Sequence, residues 1–269
     1  MYGTIYGDLA GSIYEYGQIK KIKSIHPESL IEKDSFYSDD TILTIAILEA
    51  ILDNKDYGQT LREYIQKYGN YRPDFSPYFD SAFSPGLTSW SNSDKIGTSH
   101  GNGALMRISP VGFMFDSEKE VIENAKLATM PSHNSKEAIE AATTIALMIY
   151  YFKNGRSKEE VFRKMNINIR YVPFLDFNRT CEKTIGNCLY GLYYSDSFED
   201  AIRKTLRMGG DTDTNCAIVG GIAEALYGIN DDVREQVEAK IPDGFVKVLR
   251  KAKKKFKCSK YSHLYQRNN

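Results

Sequence analysis

Residues 215–226 are small and apolar almost all round, and carboxylates and hydroxyls crowd their entry at Gly209-Gly210-Asp211-Thr212-Asp213-Thr214. A helix that is apolar on every side has no face to give to water, so it belongs in the middle of a fold. Its neighbours must enclose it, and helical periodicity elsewhere in the chain supplies them. Ile42, Ile45, Ala46, Leu48, Ile51 and Leu52 recur three and four apart over residues 41–52. Ala138, Ala141, Ala142, Ile145, Ala146 and Ile149 do the same over residues 136–152. This is the spacing of one helix face. Residues 179–194 and 198–206 read as two further helices, and 231–241 and 244–256 as shorter, more polar ones. Convincing period-2 strands are missing. The expected fold class is all-α, a single compact domain over 1–269 with helices around a buried central pair. Residues 71–98, rich in Pro, Ser, Asp, Asn and aromatics, read as a long irregular loop of the kind that rims a functional site.

The helix start at 211–214 has a counterpart at Ser38-Asp39-Asp40-Thr41, which leads into the other apolar helix. Capping explains one acid or hydroxyl at such a position, because the side chain accepts an orphan backbone N–H. Two clustered carboxylates with hydroxyls exceed what a cap needs. Four carboxylates converging at buried helix ends repel one another unless a cation neutralises them. The donors are all hard oxygens, with no His or Cys in either cluster, which selects Mg²⁺, Mn²⁺ or Ca²⁺ over zinc. An EF-hand is excluded, since Cys216 falls where that loop needs Gly and Ile222 where it needs Glu. Six protein oxygens are too few to enclose two ions, so water or substrate oxygens would complete the shells.

The remaining composition narrows the class. Lys+Arg and Asp+Glu each count 35, so no global field steers the chain to nucleic acid. The one basic run, at 250–255, reads as a solvated helix end with a frayed tail to 269. Cys181, Cys188, Cys216 and Cys258 lack a Cys-x-x-Cys spacing and read as reduced thiols. The N-terminus lacks the basic and apolar regions of a signal peptide, and no apolar stretch approaches a membrane span, so a cytoplasmic protein with no membrane partner is expected. Phosphate-loop and nucleophile-elbow motifs are missing.

Three further segments stand out. Asp8, Gly11 and Glu15 share a helical face at i, i+3 and i+7. Gly101-Asn102-Gly103-Ala104-Leu105-Met106-Arg107 is glycine-rich enough for backbone amides to approach a ligand. Ser132-His133-Asn134-Ser135 opens the helix at Lys136, either as a cap or as a phosphate contact. Taken in order with the two acidic clusters, these segments resemble the ADP-ribosylglycohydrolase family. The resemblance runs from residue 3 to about 228, and Gly209–Asn215 is its most specific part.

The resemblance implies an all-helical bundle with two Mg²⁺ (or Mn²⁺). Ser38, Asp39 and Asp40 would ligate from one side, and Asp211, Asp213 and Thr214 from the other. It implies that Glu15 contacts or gates the substrate ribose. It places Gly101, Asn102 and Gly103 along the ADP-ribose site, with His133 and Ser135 near the diphosphate and adenine. Ser38 stands where many relatives carry Thr but keeps the hydroxyl. Ser99 stands where some relatives carry an aspartate, so that acid is unavailable here. The implied reaction is hydrolysis of the C1″ glycosidic bond of an ADP-ribosyl group on a protein side chain or small molecule. Asp39, Asp40, Asp211 or Glu15 would move the proton. A monomer is expected. A catalytically silent ADP-ribose-binding protein of the same fold is the alternative, and a metal phosphohydrolase a third reading.

Overall fold

The computed structural model describes residues 1–15, 25–73, 81–167, 169, 177 and 179–257. They form helices and connections, with two isolated bridges, Thr98 to His133 and Gly101 to Thr180, and no sheet among the described residues. The expected central helix is α12 (Thr212–Tyr227), with every residue from Thr212 to Ala225 buried. Lying along it is α1 (Tyr2–Ser12), also buried throughout.

Glycine sets how these two helices meet. Gly3, Gly7 and Gly11 recur every fourth residue and form a groove on one side of α1. A methyl group on Gly3 would lie 2.3 Å from the Gly220 carbonyl oxygen, one on Gly7 1.9 Å from that of Cys216, and one on Gly11 2.2 Å from that of Thr212. The contacts run down α12 as α1 runs up, so the pair is antiparallel with backbone against backbone. The C-terminal end of α1 is thereby fixed beside the N-terminal end of α12. Gly3 and Gly7 carried this signal in the sequence, in the same four-residue rhythm as Gly11.

The other helices wrap this pair. α2 (Asp39–Asp53) packs on α1, and its residues Asp40–Leu48 are buried. Against α2 lie α3 (Tyr57–Tyr68) and the final helix α14 (Asp243–Lys257). The far side of α12 is covered by α8 (Lys136–Lys153), α10 (Cys181–Tyr193) and α11 (Phe198–Met208). Between them run α5 (Gly103–Met106), α6 (Ser109–Met114), α7 (Glu118–Thr129) and α9 (Lys158–Lys164), while α13 (Asp231–Lys240) lies against α1. Each helix expected from periodicity is present, with ends within a few residues.

The segment 71–98 is less irregular than its composition implied. It contains α4 (Pro85–Ser91), which starts on the signals that a helix N-terminus uses: Ser84 accepts from the Leu87 N–H at 3.3 Å, and Pro85 takes the first turn. Trp90 of this helix is buried beneath the Arg62 guanidinium, 4.2 Å from its ring centre. Residues 74–80 of that segment lie outside the described residues. The basic run at 250–255 is helical, part of α14, with Arg250 paired to Glu238 and Lys251 to Asp53. Cys258 and the rest of the tail lie outside the description. The other three cysteines are free and buried, as expected of reduced thiols. No helix among the described residues is long and apolar enough to cross a membrane.

Gly7→Ala should destabilise the protein by about 3 kcal/mol or more, because the obstructing atoms are backbone and cannot rotate away. Gly186 on α10, with open space around it, is the control. Gly186→Ala should be neutral or stabilising by roughly 0.5–1 kcal/mol. Urea unfolding of both variants decides it; equal effects would contradict the backbone contact.

Candidate functional site

The antiparallel α1–α12 pair places three helix ends at one point. Asp8 lies near the end of α1, Ser38 caps α2, and Asp211 is the residue before α12. Asp8, fully buried, organises the entry to α2. Its Oδ2 accepts the backbone N–H of Ser38 (2.9 Å) and of Thr41 (3.1 Å) and the Thr41 hydroxyl (2.5 Å), while Oδ1 accepts the Ser38 hydroxyl (2.8 Å). A carboxylate on helix N-terminal amides is well placed, because those donors are otherwise unsatisfied and the helix end is partially positive. Asp8 was visible in the sequence only as a residue sharing a face with Glu15, and its role as the hub was missed.

Around this hub the expected acids converge. Asp8, Asp40 and Asp213 bring carboxylate oxygens within 4.8 Å of one another, and so do Glu15, Asp211 and Asp213. Asp213 belongs to both groups. Thr214 Oγ1 lies 3.4 Å from Asp40 Oδ2, bringing the two clusters read from sequence into contact. Asp39 is half-buried and outside both triples, but close enough that Asp8, Glu15 and Asp211 all raise its pKa.

The hydrogen bonds around these acids do not balance. The single Ser38 hydroxyl hydrogen faces Asp8 Oδ1 at 2.8 Å and Asp40 Oδ2 at 3.0 Å. Asp40 Oδ1 is buried with no donor among the described residues. An unpaired buried carboxylate oxygen is costly, and the remedies are a proton or a cation. In the protein alone the proton wins. Burial pushes the Asp8 carboxyl up to about 6 against the donors from Ser38 and Thr41. Burial and then the neighbouring acids push Asp39 up to about 8 and hold Asp40 and Asp213 well above the usual carboxylate range. Burial raises Asp211 too, opposed by Asn102 and Arg179. One orphaned oxygen, surplus negative charge and purely oxygen donors fit a hard divalent cation.

The glycine-rich segment forms the next wall. Residues 97–103 are held between two other stretches of chain. On one side Gly97 N–H donates to the Pro131 carbonyl (2.8 Å) and Asn134 N–H to that of Gly97 (2.9 Å). On the other, Asn102 N–H donates to the Arg179 carbonyl (2.7 Å) and Cys181 N–H to that of His100 (3.0 Å). Gly97 must be glycine, since a methyl there would lie 2.4 Å from the Ser132 carbonyl oxygen. Asn102 does more than line a groove: its Nδ2 donates to Asp211 Oδ2 at 2.7 Å, tying this wall to the acids. His133 is buried with its ring against Gly103. Ser135 caps α8, its hydroxyl accepting the Ala138 N–H at 3.2 Å, so that side chain is committed to the helix. Arg179, not singled out from the sequence, is an exposed side chain that donates to buried Glu15 Oε1 at 3.2 Å.

The ADP-ribosylglycohydrolase family model matches residues 1–258. The chain belongs to the ADP-ribosylglycohydrolase family. It is 25% identical over 206 residues to the ADP-ribosyl-[dinitrogen reductase] glycohydrolase of Rhodospirillum rubrum, a match covering 72% of this chain and 60% of that one. It is 23% identical to an ADP-ribosylarginine hydrolase of Serratia proteamaculans, over 85% of this chain and 70% of the relative. A human ADP-ribosylhydrolase is also 23% identical, over 85% and 84% respectively. Among solved structures, an ADP-ribosylglycohydrolase-related protein superposes with a TM-score of 0.65 at 19% identity over 98% of this chain and 96% of its own, which establishes the shared fold. The chain spans 60% of the length of the Rhodospirillum rubrum relative, and its described residues include acidic clusters that could hold metal.

The raised carboxyls give a signed prediction. Asp8 and Asp39 keep protons in the folded protein that the unfolded chain releases above its ordinary 3.8, so the native state binds more protons from there up to about 8. Stability without metal therefore falls as pH rises through that window. Thermal melts of chelator-treated protein should show a higher midpoint at about pH 5.5 than at pH 8, with Mg²⁺ restoring more at the higher pH. Asp39→Asn should flatten the trend. A metal-free midpoint that climbs from pH 5.5 to 8 would contradict it.

Proposed function

We propose that the chain is a working hydrolase for the C1″ glycosidic bond of an ADP-ribosyl group, with two Mg²⁺ or Mn²⁺ as its metals. The observation that carries this is the sharing of Asp213 between two carboxylate triples at one buried point. Ser38, Asp39, Asp40, Asp8 and Glu15 would face the metals from the α1–α2 side, and Asp211, Asp213 and Thr214 from the α12 side. When bound, the metals would neutralise the acids and draw the ribose 2″ and 3″ hydroxyls and a water into place.

The residues of the chain then divide the work. Asn102 holds Asp211 in position through its 2.7 Å hydrogen bond. Glu15, held by Arg179, meets the distal ribose as it enters. Gly101, Asn102 and Gly103 present backbone to the ADP-ribose, and His133 stands behind them. Ser135, whose hydroxyl caps α8, contributes through its place at that helix start. Water oxygen bonds to C1″ as the bond to the leaving group breaks through an oxocarbenium-like transition state. The leaving group departs with the bonding electrons and takes up a proton. The water's own proton goes to a carboxylate, and we assign Asp39. Asp40 and Asp211 receive side-chain hydrogen bonds from Ser38 and Asn102, and Glu15 from Arg179, whereas no other described residue donates to the Asp39 carboxylate. The expected partners are ADP-ribosylated proteins or ADP-ribose-containing small molecules.

A panel of arginine-, serine- and nucleotide-linked ADP-ribosyl substrates tests this. Free ADP-ribose should appear with Mg²⁺ and not with chelator, and the panel assigns the linkage. Asp39→Asn should lower kcat by roughly 10²–10⁴-fold, the usual worth of a general base. No release from any member of the panel would sink the proposal. Tight ADP-ribose binding indifferent to EDTA and to Asp211→Ala would restore the silent-binder reading.

A further inference from the structure

Arg107 ends the glycine-rich motif and is buried to 1% exposure, among the largest fully buried side chains. Burying a guanidinium is expensive unless it does something specific. Its hydrogen bond runs from Nη2 to Ser132 Oγ at 2.6 Å, while Nε and Nη1 have no partner among the described residues. Ser132 Oγ in turn lies 2.7 Å from His133 Nδ1. Three consecutive groups thus lead from a buried cation to an imidazole at the wall of the proposed ADP-ribose site.

The direction of this chain follows from donor chemistry. A guanidinium can only donate, so Ser132 Oγ accepts from Arg107. The Ser132 hydroxyl hydrogen then needs an acceptor, and the one within reach among the described residues is His133 Nδ1. A nitrogen that accepts carries no proton, so the neutral ring carries its hydrogen on Nε2. Nε2 is the edge that faces the glycine-rich segment, 3.4 Å from where a Gly103 side chain would begin and 3.8 Å from the same point at Gly101. No described residue takes the Nε2 hydrogen.

We infer that Arg107, acting through Ser132, is a positioning residue that fixes His133 as a neutral Nε2–H donor aimed past Gly101 and Gly103 at a ligand oxygen. This rests on the reading of the cleft as an ADP-ribosyl site, where the oxygens on offer are phosphate and ribose acceptors. The surroundings agree. Burial, then the charges of Arg107 and His100, hold His133 well below its ordinary pKa, while Arg107, lowered to about 10 by burial, stays charged at neutral pH. A donor whose proton sits permanently on the ligand side recognises an anion without competing to protonate it.

Nitrogen-15 spectra of the His133 ring in the intact chain, with no ligand present, read the tautomer directly. The wild-type ring should show Nδ1 bare and Nε2 protonated, unchanged from about pH 5.5 to 8. Ser132→Ala and Arg107→Gln should populate the Nδ1–H form, and Ser132→Thr, which keeps the hydroxyl, should return the ring to Nε2–H alone. ADP-ribose, used as the probe, should bind about tenfold more weakly to Ser132→Ala and normally to Ser132→Thr, one hydrogen bond being lost and regained. Substrate KM should move with it while kcat changes little. A wild-type ring protonated on Nδ1, or a Ser132→Ala variant with tautomer and affinity both unchanged, would overturn the inference. The spectrum judges the relay and wild-type ADP-ribose binding judges the cleft, so the two readings fail separately.

Discussion

Backbone-to-backbone contact between α1 and α12 is the constraint on which the site depends. Three glycines on α1 remove the side chains that would hold the helices at the usual 8–10 Å separation. With the pair that close and antiparallel, Asp8 and Glu15 on the α1 side meet Asp211 and Asp213 on the α12 side without any long side chain to bridge them. Short carboxylates on rigid, buried helix ends are well suited to holding an ion, since they lose little freedom on binding it. Thr212 adds a lock at the junction, its hydroxyl donating to the Gly11 carbonyl at 2.8 Å.

That geometry concentrates negative charge that the protein alone does not neutralise. Arg179 and the Asn102 amide reach parts of the cluster, and helix N-terminal amides take up Asp8. Asp40 Oδ1 has no donor among the described residues. The metal-free protein answers by holding protons, and a divalent cation would replace them. Folding and protonation are linked at this point, and a metal that bound there would join the same equilibrium. The 97–103 segment beside the acids is clamped on both sides by backbone hydrogen bonds.

Much of this was legible in the sequence. The apolar run after Asp211 and the periodicity of 41–52 and 136–152 gave the central helices, because burial on every side leaves a compositional mark. Both acidic clusters were legible for the converse reason, being more acidic than a cap requires. Asp8 was not, because a lone Asp inside a helix looks the same whether it faces water or four donors. α4 was hidden because Pro, Ser and Trp read as loop until Ser84 and Pro85 are taken as a helix start. The Arg107–Ser132–His133 chain joins residues 25 apart that only the 97–134 pairing brings together.

Paramagnetic resonance of the Mn²⁺-loaded protein tests the central claim most directly, since it asks whether the acids gathered by α1 and α12 hold two neighbouring ions. The account predicts two Mn²⁺ per chain with an exchange-coupled spectrum, the ions lying about 4 Å apart as in other two-metal sites. Asp213→Asn, which removes the shared carboxylate, should abolish the coupling. A wild-type spectrum of one isolated ion, or none, would contradict it.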